Sequence, residues 1–309
     1  MEQLYTISLA GLTLPCAFHY PEAARALNAF PSEEKPPLLA GGGDRPQGRW
    51  RGSSDICIRS SERSEKSILP IPPVFLPPEE WKYFLTGDMT ESAGSEANIL
   101  TAFFSEALMP YDRCVIHAVA IRWKGQAWLI SAPSGVGKST QARYLQALRP
   151  GEFDVICGDR PILEFCSPAQ PKTSPASRGG GPASRPVEGS SPSSHRDPVC
   201  AEASASIIVH PSPWNGKERW HGAPAAPLGG VILLERGEEN ALKLLKPREA
   251  GIPAYLQIIH ANRDTDILKK TAALATALAE TVPVWKLTTH QVPDSTKLLL
   301  ASVFPTPTL

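Results

Sequence analysis

Much that would place a chain in a class at once is missing here. Cysteine is sparse, six residues at positions 16, 57, 114, 157, 166 and 200, and no two of them form a C-x-x-C pair. That scatter argues against a disulfide framework and against zinc-ligand spacing, and it suits reduced thiols in a cytosol. Net charge is also absent, with 31 basic residues against 31 acidic ones. No global field therefore draws the chain to nucleic acid or to an anionic membrane. No run of about 18 apolar residues offers a bilayer span. The N-terminus carries Glu2 and no basic region ahead of its apolar residues, which makes a poor signal peptide. A cytoplasmic protein is expected, with neither nucleic acid nor membrane as a partner. The 309 residues leave room for one large domain or two ordinary ones.

What is present centres on Trp128 to Thr140, WLISAPSGVGKST. From Ala132 to Ser139 the residues fit the phosphate-binding P-loop pattern, with Ala where Gly is commoner at the first position. Gly135 and Gly137 permit backbone angles and close approaches that a Cβ would block, so successive N–H groups can turn onto phosphate oxygens. Lys138 adds a mobile charge that reaches the β- and γ-phosphates, and the Ser139 hydroxyl is placed to ligate Mg²⁺. Residues 127–130 read as a buried strand before the loop. Residues 139–148 read as a helix after it, whose N-terminal dipole favours an anion. The nucleotide-binding residues expected are Ser134, Gly135, Val136, Gly137, Lys138, Ser139 and Thr140, with ATP and Mg²⁺ as cofactors.

Around this loop the chain divides into an N-terminal region, 1–94, and a P-loop domain, 95–309. Residues 4–18 read as a hairpin about Gly11. The polar, Pro- and Gly-rich stretch 19–66 reads as a long loop, and 68–78 as an extended edge segment. Ser95 has the chemistry of an N-cap for a helix over 96–109 that Pro110 ends. A strand is expected over 114–123 and another over 152–157, the latter ending in Gly158-Asp159-Arg160. Two strands joined through the loop's helix make a βαβ-type unit, which puts a ligand at the carboxyl ends of the strands. Residues 167–204, rich in Ser, Pro, Ala and Gly, read as a disordered insertion. A strand from 207 then runs into a turn with Trp214, Gly216 and Lys217. Beyond it come a strand over 230–234, a helix over 267–280 capped by Asp264, a strand over 282–288, and a last helix over 298–303 capped by Asp294.

Three charged residues stand where chemistry is expected. Asp159 follows a strand 21 residues after Lys138. An acidic group there can hold Mg²⁺, directly or through water, or take a proton from an attacking hydroxyl. Asp is equally at home in a turn. Lys217 offers a second cationic loop that closes on phosphate, or else a solvated hairpin. Arg236 could neutralise a transferring phosphate or pair with Glu238 or Glu239, the ion pair being the closer fit.

The order of these segments carries a resemblance. His117, then Ser-Gly-Val-Gly-Lys-Ser, Gly-Asp-Arg-Pro, Ser-Pro-Trp-Asn-Gly-Lys and Ala-Pro-Leu-Gly-Gly-Val-Ile-Leu-Leu-Glu-Arg-Gly resemble the HPr kinase/phosphorylase-like group. That group shares its core with ATP-dependent phosphoenolpyruvate carboxykinases. The similarity covers roughly residues 95 to 303 with the insertion set aside. It implies an α/β P-loop core of the HPr kinase/phosphoenolpyruvate carboxykinase type and a phosphotransferase acting on a serine hydroxyl of a peptide or protein. Through the resemblance His117 matches the group's active-site His ahead of the loop, and Asp159 matches the second member of its Asp-Asp-Arg. Gly158 stands where the first Asp belongs. One carboxylate must then do both jobs, His117 must help, or turnover is weak or lost. The loop that contacts the HPr protein is not apparent, so HPr is not the expected substrate.

The catalytic set expected is therefore Asp159, His117 and Lys138, with Ser139 and Asp159 on the metal and Lys217 and Arg236 near the phosphates. The alternative is a catalytically weak or inactive nucleotide-binding partner protein. Assembly into a homo-oligomer stays open.

Overall fold

A computed structural model of the chain describes residues 4–31, 74, 92–166, 206–220, 222–261 and 264–305. The expected hairpin forms: β1 (Leu4–Leu9) and β2 (Leu12–Ala17) pair antiparallel from Leu4↔Ala17 to Leu9↔Leu12. Ala10 and Gly11 close it, at φ of 50° and 80°, a two-residue turn whose left-handed backbone matches the twist of the strands.

Part of the loop expected over 19–66 is instead regular structure. Helix α1 (Pro21–Ala26) and the short strand β3 (Phe30–Pro31) follow the hairpin, and β3 pairs with β1. The buried Glu96 carboxylate accepts the backbone N–H of His19 at 2.6 Å and of Tyr20 at 2.9 Å, just ahead of α1. That stabilising partner lies some 76 residues away in sequence, beyond any local pattern. The remainder of the expected loop, 32–66, and the insertion over 167–204 lie outside the described residues. Of 68–78, Val74 is described, bridging parallel to Cys16 of β2.

Helix α2 (Ala93–Leu108) starts earlier than expected, because Ser92 and not Ser95 is its cap: Ser92 is extended and its side chain accepts from Ser95 N. A 3-10 turn over Met109–Tyr111 takes up Pro110. The single strand expected over 114–123 is two, β4 (Arg113–Val115) and β5 (Ala118–Trp123). Between them the chain changes partners: Ile116 N bonds Pro161 O, and His117 N bonds Gln257 O at 2.8 Å. The break falls on His117.

The chain continues through β6 (Gln126–Ser131), α3 (Lys138–Leu148), β7 (Phe153–Cys157), β8 (Ile162–Cys166) and β9 (Ser206–His210). Then come β10 (Ala226–Arg236), β11 (Ala241–Leu245), α4 (Pro247–Tyr255), α5 (Thr265–Thr281), β12 (Val284–Thr289) and α6 (Val292–Ser302). Asp264 caps α5 as expected. Asp294 does not cap α6: Gln291 holds the cap position and Asp294 lies in the first turn. Strands β8 and β11 and helix α4 were not anticipated.

The architecture is mixed α/β. The main sheet runs β4-β8-β9-β10-β6-β5-β7, with β12 beside β10 and β11 beside β12. The expected βαβ unit is present in modified form. Antiparallel pairing of β5 to both β6 and β7 leaves those two parallel, joined through α3, with β5 between them. Alternation along the strands builds two faces. Ala118, Ala120, Ala127 and Leu129 pack with Leu274 and Leu278 of α5. Val119, Ile121, Trp128 and Ile130 pack with Leu145 of α3 and with Leu299 and Phe304 at the C-terminal helix. A third cluster joins Leu14, Leu100 and Phe104 to Val115, Ile162 and Trp214, locking the N-terminal sheet onto the main one. The described cysteines are free, and burial pushes the thiols of Cys16 and Cys114 up to about 12. No helix among the described residues is long and apolar enough to cross a membrane.

Candidate functional site

Strand β6 ends at Ser131 and delivers the chain into the glycine-rich loop. Gly135 and Gly137 have φ of 78° and 125°, and a Cβ added to either would meet nothing within 4 Å. Conformation, not crowding, reserves both positions for glycine. Helix α3 begins at Lys138, with Gly137 at its N-cap, no side-chain cap hydrogen bond and no acidic residue in its first turn. Its first backbone bond runs from Gln141 N to Gly137 O at 2.9 Å. The N–H groups of Gly137, Lys138, Ser139 and Thr140 are thus the donors that a helix leaves without intrahelical partners, at its positive end. Ser134 and Thr140 are exposed, Ser139 is half-buried, and half-buried Val136 packs on the core beneath.

A side chain at the start of a helix points back over the preceding turn. Lys138 does this: its Nζ donates to Ala132 O at 3.0 Å and meets His117 Nε2 at 2.9 Å. Burial lowers the Lys138 pKa, with nearby Arg160 adding to the effect and Asp159 opposing it. His117 is fixed through its backbone, its carbonyl accepting from Ser131 Oγ at 2.7 Å. Its Nε2 also lies 3.5 Å from Asp159 Oδ1. One nitrogen cannot accept from Lys138 and donate to Asp159 together, so the proton on Nε2 decides which partner the imidazole serves.

Asp159 follows β7, and its carbonyl accepts Ala118 N at 2.8 Å. Its Oδ2 forms an ion pair with Arg160 Nε at 3.2 Å. Burial pushes its pKa up, but the His117 hydrogen bond and the charges of Arg160, His117 and Lys138 outweigh that and hold the carboxyl below its ordinary value. Arg160 is the residue that sequence reasoning left out of the site. Its Nη1 donates to Thr101 Oγ1 at 2.7 Å and to Asn98 O at 3.2 Å, both on α2. The signal was its adjacency to Asp159; the helix that holds it lies about 60 residues earlier in the chain.

Gly158 has a physical reason to be glycine. A Cβ there would lie 2.4 Å from Asn215 O and 3.2 Å from Trp220 Cβ. The loop of residues 211–219 lies across Gly158–Arg160. Ser212 Oγ donates to Arg160 O at 2.6 Å, Arg160 N donates to Trp214 O at 3.2 Å, and the buried Trp214 indole donates to Ala97 O at 2.9 Å. Glu218 pairs with Arg143 of α3 at 3.3 Å. The loop carrying Lys217 is therefore brought to the site, and Lys217 itself is exposed.

Arg236 departs from its expected ion pair. No pairing with Glu238 or Glu239 is recorded among the described residues; its Nη2 donates to Gly135 O at 2.9 Å instead. Strands β10 and β6 run parallel, so the end of β10 emerges beside the glycine loop. Among the described residues no group of three or more His, Cys, Asp or Glu side chains could hold a metal ion.

No family model matches the sequence, and the search of curated proteins returns no match. Among solved structures, the HPr(Ser) kinase/phosphatase from Coxiella burnetii aligns at 11% identity and a TM-score of 0.29, over 62% of this chain and 95% of that one. A likeness that faint does not carry over a fold or an activity.

Proposed function

We propose that this chain transfers a phosphoryl group from ATP to a serine hydroxyl of a peptide or protein. The observation that carries the reading is the convergence of Lys138, His117 and Asp159, linked at 2.9 and 3.5 Å, beside an uncapped helix N-terminus. The backbone of Gly135 to Ser139 cradles the phosphates. Lys138 exchanges Ala132 O and His117 for the transferring phosphoryl, carrying its charge to where negative charge develops. Asp159, held ionised, accepts the proton of the attacking hydroxyl or orients that hydroxyl, and His117 stands within reach to share the proton. Arg236 pins the loop through Gly135. Ser139 and Asp159 suit a hard cation that takes its remaining ligands from phosphate and water. When bound, Mg²⁺ supplies charge neutralisation at the phosphates. Positioning and charge neutralisation provide most of the rate, as is general for this reaction.

A second reading is a nucleotide-binding protein without turnover, favoured by one observation. Asn215 O closes the space that a side chain at position 158 would need, so a single carboxylate serves here. The two readings separate in one assay: nucleotide binding, hydrolysis and phosphate transfer by wild type, Lys138→Ala and Asp159→Ala, with ATP and Mg²⁺. Transfer or hydrolysis falling about a hundredfold or more in both variants supports the enzyme. Tight ATP binding with no turnover, in wild type as in Asp159→Ala, overturns it and leaves the binding protein.

A further inference from the structure

A cavity of about 700 Å³ lies behind the loop of residues 211–219 and shares that loop with the site. One wall comes from the N-terminal region, with Ser8 of β1, Ala26 of α1 and Asn28 just after it; the other comes from the loop, with Asn215, Gly216 and Arg219 among its residues. The two segments are nearly two hundred residues apart in sequence, so only the packing of the N-terminal sheet against the main sheet creates the space.

Two features give this cavity a chemical character. Exposed Arg219, in a left-handed conformation with φ of 53°, has no recorded ion pair among the described residues, which leaves a cation for an acidic group. Strand β3 pairs with β1 opposite Tyr5 and Thr6. Among the described residues no strand adds to the edge of β1 beyond Thr6, at Ser8, which lines the cavity, an arrangement to which an extended chain can add. The shared wall also bears on the chemistry. A Cβ on Gly216 would lie 3.2 Å from Asp159 Cβ, and Asn215 O sits on Gly158. The loop that walls the cavity is thus also the one packed against the segment that carries the carboxylate.

We propose that this cavity seats the acceptor, as an extended acidic peptide lying along β1 with its serine carried over the loop toward Asp159. The proposal rests on the phosphotransfer reading for the reaction, but seating itself is a binding event that can be measured apart from it. The size is that of ligand sites generally. The donors and acceptors of a peptide backbone meet the β1 edge, and an acidic side chain meets Arg219.

The test is selection of serine-containing peptides from a random display library on the full chain, followed by affinity measurement of the selected peptides on wild type, Ala26→Trp and Arg219→Glu. Both positions are exposed, so both variants should fold, and neither belongs to the nucleotide machinery. Selected peptides are expected to be enriched in Asp and Glu. Their affinity should fall at least about tenfold in Ala26→Trp, which fills the cavity, and several-fold in Arg219→Glu. ATP affinity, measured alongside, should stay unchanged in both variants. Failure to select any peptide, or peptides that bind Ala26→Trp as well as wild type, overturns the proposal. Peptides that bind at the cavity but receive no phosphate sink the kinase reading and leave the binding site standing.

Discussion

Replacing Gly158 by Ala adds a single methyl group at the most crowded point of the site. Its Cβ would stand 2.4 Å from Asn215 O, against a floor of 3.0 Å that real Cβ contacts essentially never cross, so the loop must retreat by about 0.6 Å before the contact is even tight. The obstacle is a backbone atom, which no rotamer change removes. Nor is the loop free to move: Ser212 Oγ is bonded to Arg160 O at 2.6 Å, Trp214 O to Arg160 N at 3.2 Å, and the Trp214 indole to Ala97 O at 2.9 Å. Overpacking of this kind costs about 1–3 kcal/mol, and stretching one of the loop's hydrogen bonds adds about 0.5–1.5 kcal/mol. A loss of about 2–3 kcal/mol is expected, equivalent to a fall of roughly 4–12 °C in Tm for a fold of this size. Urea denaturation followed by tryptophan fluorescence measures it, with Gly251→Ala in α4 as the control. A Cβ on Gly251 meets nothing within 4 Å, so that change should be neutral or stabilising by up to about 1 kcal/mol. If Gly158→Ala lies within about 0.5 kcal/mol of wild type, the close packing of the loop on Gly158 is refuted. The same geometry implies that Gly158→Asp does not raise activity, because the new carboxylate has nowhere to seat without displacing the loop that supports Asp159.

Other expectations follow from the same contacts. Phe304 is fully buried and edge-on to Trp123, Trp128 and Phe153, so Phe304→Ala should cost about 3–5 kcal/mol in chemical denaturation. Glu164 is paired with Arg113 and, at 2.7 Å, with His210; burial raises its pKa, yet the His210 hydrogen bond and Arg113 outweigh this and hold it below the ordinary 4.5. A carboxyl lowered on folding contributes stability above that ordinary value and loses it as pH falls through the folded one. Glu164→Gln should therefore cost about 1–2 kcal/mol at pH 7, and its gap to wild type should close in denaturation series taken progressively below pH 4.5. Arg236→Ala removes the hydrogen bond to Gly135 O and should weaken ATP binding several-fold in calorimetry, with global stability changed by less than about 0.5 kcal/mol because Arg236 is exposed.

How much was legible in advance depends on how far each feature reaches along the chain. The Ala10-Gly11 turn, the strand–loop–helix around Lys138 and the Asp264 cap are local, set by residues within a few positions of one another, and the sequence alone was enough for them. It was likewise enough to nominate Lys138 from the loop motif and Asp159 from its place after a strand, whereas His117 entered through the resemblance, a lone His in an apolar strand being more often structural. What tertiary structure decided are features whose partners are remote. The strand at 114–123 breaks at Ile116-His117 because Pro161 O takes the N–H of Ile116 and Gln257 O that of His117. Helix α1 replaces a loop where Glu96 receives its entry. Arg236 turns to Gly135 and not to neighbouring glutamates because β10 and β6 are parallel neighbours. Position 158 is glycine because Asn215, 57 residues on, lies against it. Periodicity and caps record what a segment does with itself; hydrogen bonds and steric contacts across the fold depend on which segments meet, and that is settled only when the sheet assembles.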